Sequence, residues 1–185
     1  MNKSLPSIDH TWTLFLDRDG VINIDNIHGY ILNWEEFRFS PGVLEAMAIV
    51  APLFHKIVLV TNQRGVGKGV MKVEDLTRIH DNMLREITDK GGRMDAIYYC
   101  DATTNDHPNR KPNPGMAYEA KKQFPSIDLS KSIMVGNTSG DMEFGRAIGA
   151  YTVYIHTRED KIPRPETVDA RFDDLLTFAK ALHLG

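Results

Sequence analysis

Five short apolar runs alternate with segments of helical period along this chain, and the alternation restricts its fold more than any other feature. The runs predict strands at residues 12–16, 56–60, 95–99, 132–135 and 152–155, each compact enough to be buried on both faces. Helical patterns occupy residues 41–53, 73–87, 116–124, 142–148 and 175–182. Parallel strands need crossover connections, which helices provide. The sequence therefore predicts an α/β fold, a Rossmann-like parallel sheet with helices on both faces.

Polar residues follow the carboxyl ends of the predicted strands. The first strand runs into Asp17 and Asp19, within the stretch LFLDRDGVIN. The other ends supply further polar groups, namely Thr61 and Asn62, the loop residues Arg110 and Lys111, and Asn137 with Asp141 nearby. An isolated Asp-x-Asp-Gly also fits an ordinary turn, so the functional interpretation depends on these other strand ends. Because ligands bind at this edge of an open sheet, the mixture of groups predicts a phosphate ester bound together with Mg²⁺.

Four motifs stand in order along the chain: Asp17-x-Asp19-Gly20, Thr61, Lys111 and Gly136-Asn137-x-x-x-Asp141. Together they resemble the motifs of the haloacid dehalogenase (HAD) superfamily of phosphohydrolases. The stretches FLDRDGVIN, GYILNWEEFRFSPGV, TNQRGVGKG, RKPNPGM and MVGNTSGDM resemble, more narrowly, the branch that contains heptose bisphosphate phosphatase and histidinol-phosphate phosphatase. The resemblance extends over residues 13–157 and implies a HAD-like fold.

The resemblance implies roles for four catalytic residues. Asp17 is expected to attack phosphorus and form an aspartyl-phosphate, and Asp19 to protonate the leaving oxygen and then activate water. Thr61 is expected to donate a hydrogen bond to the phosphoryl group. Lys111 is expected to neutralise charge on the nucleophile and the phosphoryl oxygens.

The same resemblance implies a Mg²⁺ site formed by Asp17, the backbone oxygen of Asp19, Asn137 and Asp141. Asn137 stands where the superfamily usually has an acidic ligand. An amide oxygen can still coordinate Mg²⁺, but the site has one negative charge fewer. This difference leaves open a noncatalytic phosphate-binding module as the alternative function.

Substrate-binding residues are expected at the mouth of the site. Asp25 and His28 align with a substrate-contacting segment of the family, and Asn62 follows Thr61 directly. Arg110 is placed to recognise substrate. Arg64 begins a glycine-rich segment, residues 64–69, that is interpreted as an anion-binding loop, although its charges are equally consistent with a solvated turn.

The loop before Lys111 differs from that of many relatives, which bind a structural zinc there. The four corresponding positions are Cys100, Ala102, His107 and Asn109. Two plausible ligands cannot complete a tetrahedral structural site, so no structural zinc is predicted.

Length and charge set further expectations. The 185 residues predict one domain over 1–185, and only about twenty residues separate Asp19 from the helix near Pro41, too few for a large cap domain.

The net charge of −3 argues against nucleic acid as a partner. One cysteine and the lack of a secretory or membrane-spanning segment favour a cytoplasmic protein with no membrane partner. The oligomeric state stays open.

The sequence thus predicts a Mg²⁺-dependent phosphomonoester hydrolase that acts on a small phosphorylated substrate. A sugar phosphate such as D-glycero-D-manno-heptose 1,7-bisphosphate is the leading substrate. Histidinol phosphate and the 3'-phosphate of a polynucleotide are the alternatives, the second disfavoured by the absence of a basic stripe.

Overall fold

The computed structural model describes residues 3–157 and 163–183, and this part of the chain forms a parallel sheet with helices on both faces. The six strands are β1 (Thr13–Leu16), β2 (Lys56–Asn62), β3 (Ala96–Cys100), β4 (Ser132–Gly136), β5 (Tyr151–Ile155) and β6 (Ala170–Phe172). Their order is β3-β2-β1-β4-β5-β6, and every neighbouring pair is parallel. The predicted fold class is confirmed.

Six α-helices connect or follow the strands, together with a 3₁₀ turn at Pro165–Thr167. They are α1 (Val43–Val50), α2 (Arg64–Gly67), α3 (Val73–Asp89), α4 (Gly115–Gln123), α5 (Ser139–Ala147) and α6 (Leu175–His183). None of these helices, within the described ranges, is long and apolar enough to cross a membrane.

Alternating side chains of the strands fill two separate cores. In β1, Leu14 and Leu16 belong to the larger core, while Phe15 points to the other face. Helices α1, α3 and α6 cover the larger core with residues such as Met47, Met83 and Phe178. Helices α4 and α5 cover the opposite face. Burial on both faces explains why the central strands consist of nearly continuous apolar residues.

Two features of the sheet differ from the sequence-based prediction. Strand β3 was expected to be buried on both faces, but it is an edge strand paired only with β2, and Tyr99 is 39% exposed. Strand β6 was not predicted, because three residues are too few for a periodic pattern. In addition, the glycine-rich segment interpreted as a loop forms the single turn α2.

The chain reverses its direction of winding between β1 and β4. From β1 the sheet extends to β2 and β3 on one side, and through β4 to β5 and β6 on the other. The loop over residues 17–42 contains no helix and only isolated β-bridges, as expected for a fold without a large cap. The carboxyl end of β1 therefore lies at the switch point, where open α/β sheets bind their ligands.

Candidate active site

The loop after β1 folds tightly around the backbone of Arg18. The Arg18 carbonyl accepts hydrogen bonds from the N–H groups of Val21, Ile22 and Asn23, at 3.2, 2.8 and 3.1 Å. Gly20 adopts a φ of +86°, in the left-handed region that favours glycine. This turn brings the side chains of Asp17 and Asp19 to the same edge of the sheet.

Lys111 lies between two carboxylates. Its Nζ atom is 2.8 Å from Asp17 Oδ1 and 2.6 Å from Asp141 Oδ1, and all three residues are buried. These contacts join the ends of β1 and β4 to the loop after β3. The structure thus brings together three residues that are distant in the sequence, as predicted from the strand ends.

One ammonium shared by two carboxylates shifts the pKa values of the cluster. Burial, and next the charge of Asp141, raise the pKa of Asp17 to about 7 despite the ion pair with Lys111. Burial alone would lower the pKa of Lys111, but the charges of Asp141 and Asp17 outweigh burial and raise it. Lys111 is therefore held in its charged form, and Asp17 binds a proton more readily than a solvated carboxylate does.

Several hydrogen-bond donors surround the Asp19 carboxylate and favour its ionised form. Arg18 Nη2 donates to both carboxylate oxygens, at 2.8 and 3.1 Å, and Arg18 Nε donates to Oδ1 at 3.2 Å. Asn23 Nδ2 adds a hydrogen bond of 3.0 Å and Gln63 Nε2 one of 2.9 Å. Burial opposes the ionised form, but Arg18 and these donors outweigh it, so the pKa of Asp19 is lowered.

Gln63 connects the Asp19 carboxylate to Thr61. The same Nε2 group that donates to Asp19 also donates to Thr61 Oγ1, at 2.9 Å. Thr61 is buried at the end of β2, and its own hydroxyl proton stays available for an oxygen of the substrate.

The fourth motif forms the N-terminus of α5. Thr138 is the N-cap of this helix and makes a capping box with Asp141. Asp141 Oδ2 accepts from the Asn137 and Thr138 N–H groups and from Thr138 Oγ1, at 3.2, 2.9 and 2.7 Å. Since Oδ1 accepts from Lys111, both oxygens of Asp141 already have partners.

Asn137 carries a buried oxygen without a partner. Its Nδ2 donates to Thr157 Oγ1 at 3.0 Å, whereas its Oδ1 has no hydrogen-bond partner within the described residues. The Asn137 side chain packs so closely against Gly20 that a Cβ added to Gly20 would lie 1.8 Å from Asn137 Nδ2. An orphaned amide oxygen in the loop region beside Gly20 is consistent with a hard cation such as Mg²⁺.

Within residues 3–157 and 163–183, no group of three or more His, Cys, Asp or Glu side chains is arranged to hold a metal ion. The donors near this edge are the carboxylates of Asp17 and Asp141 and the amide oxygen of Asn137. Mg²⁺ commonly keeps several waters and binds through one or two carboxylates, so the donors present fit it.

Three of the predicted substrate-binding residues contact the loop after β3, namely Asn62, Arg64 and Arg110. Asn62 contacts the Lys111 backbone through both ends of its amide, at 3.1 Å each, and so positions Lys111. Arg64 and Arg110 converge on Asn105 Oδ1, at 2.8 and 3.3 Å. Burial and the charge of Arg64 lower the pKa of Arg110. Two guanidinium groups that share one neutral acceptor make an electropositive corner.

Asp25 and His28 lie along the loop after β1. Asp25 lines a cavity of about 320 Å³ whose walls include Gly20, Ile24 and Thr157. His28 is exposed, and its backbone N–H donates to Asn26 Oδ1. The cavity borders the catalytic loop, whereas His28 faces solvent.

Hydrogen bonds stabilise the loop at residues 100–110, where no structural zinc is predicted. Cys100 Sγ lies 3.6 Å from His107 Nδ1, and Ala102 offers its carbonyl to Arg110 at 3.2 Å. Asn109 donates to Glu119 at 2.7 Å. The absence of a structural zinc stays a prediction.

Sequence reasoning missed Arg18, Asn23, Gln63 and His80. The first three belong to the motif stretches DRDGVIN and TNQ, so their position in the sequence was a usable indication. His80 is 6% exposed, and its Nε2 lies 3.4 Å from Arg18 Nη1. It shares a face of α3 with the predicted apolar stripe, which marks it as a buried histidine.

A parallel sheet with an Asp-x-Asp loop at its switch point, a lysine shared by Asp17 and Asp141, and a strand-end threonine defines the HAD-type phosphatases. The family described as polynucleotide kinase 3 phosphatase matches residues 16–179, and the chain belongs to this family. The chain is accordingly a phosphatase, and the predicted superfamily and enzyme class are confirmed. The noncatalytic alternative is not retained.

Relatives with assigned activities support this membership. The D-glycero-beta-D-manno-heptose-1,7-bisphosphate 7-phosphatase of Photorhabdus laumondii is 38% identical over 151 residues, which are 77% of this chain and 76% of that protein. The corresponding alpha-heptose enzyme of Mycobacterium bovis is 33% identical over 175 residues, or 94% and 92% of the two chains. The crystal structure of D,D-heptose 1,7-bisphosphate phosphatase from B. bronchiseptica, complexed with magnesium and phosphate, has a TM-score of 0.84 at 29% identity. It covers 92% of this chain and 97% of that chain.

Proposed function

We propose that this phosphatase is a Mg²⁺-dependent enzyme that forms an aspartyl-phosphate on Asp17 and acts on a heptose 1,7-bisphosphate. The shared position of the Lys111 ammonium between Asp17 and Asp141 carries the proposal, because it places a buried positive charge against the nucleophile. The names of the relatives support the substrate.

In the first step, a carboxylate oxygen of Asp17 attacks phosphorus in line, and the bond from phosphorus to the sugar oxygen breaks. The Thr61 hydroxyl and the Lys111 ammonium stabilise the charge on the phosphoryl oxygens. Asp19, after taking up a proton, gives that proton to the departing sugar oxygen.

In the second step, water attacks the phosphorus of the aspartyl-phosphate, and Asp19 accepts the proton that the water loses. Inorganic phosphate leaves and Asp17 is regenerated. The donors around Asp19 favour its ionised form, which suits the role of base in this step. Before each acid step the carboxylate must bind a proton.

Asp17, the backbone carbonyl of Asp19 and Asn137 Oδ1 would hold the magnesium ion. When bound, Mg²⁺ supplies positive charge that keeps Asp17 ionised and offsets the repulsion between the carboxylate and the phosphate. Asp141 contributes indirectly, since it fixes Lys111 and the N-terminus of α5.

The electropositive corner of Arg64 and Arg110 supports a substrate with a second phosphate. Its two guanidinium groups meet at Asn105, and the buried Arg64 Nε has no partner in the described part of the chain. A phosphate offers several charged oxygens to these guanidinium groups, whereas a sugar hydroxyl offers one neutral oxygen.

Release of inorganic phosphate from D-glycero-D-manno-heptose 1,7-bisphosphate tests the proposal. We expect release to require Mg²⁺, Asp17→Asn to abolish it, and mass spectrometry to find the transient phosphate on Asp17. Asp81→Asn, an exposed position on α3, is the matched control and should keep full activity. Absence of Mg²⁺-dependent phosphate release from this and every other phosphomonoester would refute the reaction type.

Two other substrates belong in the same assay. Histidinol phosphate tests the neighbouring branch, and a 3'-phosphorylated oligonucleotide tests the substrate named in the family description. A kcat/KM for either that exceeds the value for the heptose bisphosphate would replace the proposed substrate while leaving the mechanism in place.

A further inference from the structure

Arg18 places a fully buried guanidinium directly behind the Asp19 carboxylate. The residue is 1% exposed. Its Nε and Nη2 atoms face Asp19, and its Nη1 atom faces His80 Nε2 at 3.4 Å. A buried charge of this kind is stable only when its donors have acceptors, and Asp19 and His80 are the side chains that supply them within the described structure.

The contact defines the protonation state of His80. An arginine keeps its proton under all ordinary conditions, so Nη1 can only donate. His80 Nε2 must then carry a lone pair, and the ring proton must lie on Nδ1. His80 is buried on α3, and its ring centroid lies 6.3 Å from that of Tyr99 on β3, so the imidazole is held by its surroundings.

The geometry points to His80 as a positioning residue for catalysis. We propose that its neutral imidazole fixes the guanidinium of Arg18, and that Arg18 in turn sets the orientation in which Asp19 meets the leaving oxygen. This inference rests on the acid role of Asp19 in the proposed function. Asp19 is the neighbour of Arg18 in the same loop, so a fixed position of the guanidinium needs a second partner outside the loop. Helix α3 supplies that partner.

Without the imidazole acceptor, Nη1 would be a buried donor with nothing to bind. The guanidinium would then shift toward another acceptor, and the Asp19 carboxylate, which accepts three contacts from it, would shift too. A displaced Asp19 transfers its proton poorly. The loss should appear only where the leaving oxygen needs a proton, because a good leaving group departs as an anion.

The test compares His80→Phe, which keeps a ring without an acceptor, with His80→Gln, whose amide oxygen can accept from Arg18. Both are assayed with p-nitrophenyl phosphate, a good leaving group, and with phenyl phosphate, a poor one. The readout is kcat/KM, which reports the phosphorylation of Asp17. We expect His80→Phe to lower kcat/KM for phenyl phosphate at least about tenfold more than for p-nitrophenyl phosphate, and His80→Gln to restore most of the difference.

Leu76→Ala is the control, since it removes packing from the same face of α3 without touching Arg18. It should lower the two kcat/KM values equally. An equal loss for both substrates in His80→Phe would overturn the inference and leave His80 a packing residue. Should His80→Phe fail to fold, His80→Leu takes its place in the same comparison.

Asp19→Asn separates this inference from the proposed function. We expect it to show the same dependence on the leaving group, more strongly than His80→Phe. If Asp19→Asn shows none, the acid role fails and the positioning role fails with it; if only His80→Phe shows none, the positioning role alone fails. Nitrogen NMR of the folded wild-type protein gives a second measurement. A proton on Nδ1 with an unprotonated Nε2 supports the assignment, and the opposite tautomer overturns it.

Discussion

Lys111 and Asp141 form a buried ion pair, with 2.6 Å between Nζ and Oδ1, that joins the loop after β3 to the N-terminus of α5. Both carboxylate oxygens of Asp141 have partners, because Oδ2 accepts three hydrogen bonds from the Asn137–Thr138 turn. The sequence predicts Asp141 as a metal ligand. That role stays a prediction; in the structure the Asp141 side chain contacts Lys111 and caps the N-terminus of α5.

Replacing Lys111 with methionine should both destabilise and inactivate the enzyme. Asp17 and Asp141 would lose their shared counter-charge, and the free energy of unfolding at pH 7 should fall by about 3–5 kcal/mol. The deficit should shrink toward pH 5, because burial and the charge of Asp141 raise the pKa of Asp17 to about 7, and protonation of Asp17 removes one of the two unpaired charges. Urea unfolding at both pH values measures it. Lys180→Met, which breaks an exposed ion pair with Glu45, is the control and should cost less than about 1 kcal/mol. An equal deficit for both variants would contradict the buried-charge explanation.

Replacing Asn137 with aspartate should strengthen Mg²⁺ binding. The variant puts a carboxylate oxygen where the orphaned Oδ1 now lies, and ligand charge raises the affinity for a hard cation, here by about tenfold. Without Mg²⁺ the added buried charge should lower the melting temperature, and saturating Mg²⁺ should recover it. Thermal unfolding over a Mg²⁺ titration measures both effects. Asn82→Asp on α3 is the control. An unchanged titration for the Asn137 variant would remove this amide from the ligand set.

Much of the fold could be predicted because the central strands consist of apolar residues buried on both faces. β1, β2, β4 and β5 were all located, with ends that differ by at most two residues. The exposed edge of β3 depends on which strands pair, and periodicity does not report pairing. β6 is three residues long, and its pairing with β5 stabilises it more than its own composition does.

The candidate site was predictable wherever a polar residue follows a strand. Asp17, directly after β1, and Lys111, in the loop after β3, meet at one edge for this reason, and Thr61 lies in the last residues of β2. The partners of Asp19 were not predictable in the same way, because the sequence does not show that the Arg18 guanidinium binds Asp19 or that His80 of α3 contacts it. Asn62 illustrates the same limit, since the sequence does not show that its amide binds the Lys111 backbone; its contact with substrate stays a prediction.

Replacing Gly20 with alanine should be far more costly than the same change at Gly91. Both glycines have a similar φ, +86° and +83°, so the backbone strain of about 1–2 kcal/mol is common to both variants. A Cβ at Gly20 also meets the buried Asn137 side chain, whereas nothing lies within 4 Å of one at Gly91. Overpacking should add about 1–3 kcal/mol at Gly20 alone. Urea unfolding compares the two. Equal losses of unfolding free energy in the two variants would mean that the Asn137 side chain moves aside at no cost in stability.

Neutralising Arg64 or Arg110 should weaken the binding of a sugar bisphosphate without impairing chemistry. Each glutamine variant removes one charged donor from the corner at Asn105, and KM for the bisphosphate should rise about tenfold. The KM of p-nitrophenyl phosphate should not change, because it has no second phosphate. Arg85→Gln on the exposed face of α3 is the control. Parallel changes of KM for both substrates would argue against a second phosphate at this corner.

His80 should make the protein less stable as the pH falls. Burial, and next the charge of Arg18, lower the pKa of His80 to about 3, below the value of about 6.5 in an unfolded chain. The unfolded state therefore binds the proton first. The stability that neutral His80 contributes is complete above pH ~6.5 and is lost as the pH falls toward 3, by about 1.4 kcal/mol per pH unit. His80→Phe cannot titrate, so its free energy of unfolding should decline less steeply than that of wild type between pH 6.5 and 4.5. Urea unfolding at these two pH values measures the difference, with the exposed His10→Phe as the control. Identical slopes for wild type and His80→Phe would show that the fold accommodates a protonated imidazole beside Arg18.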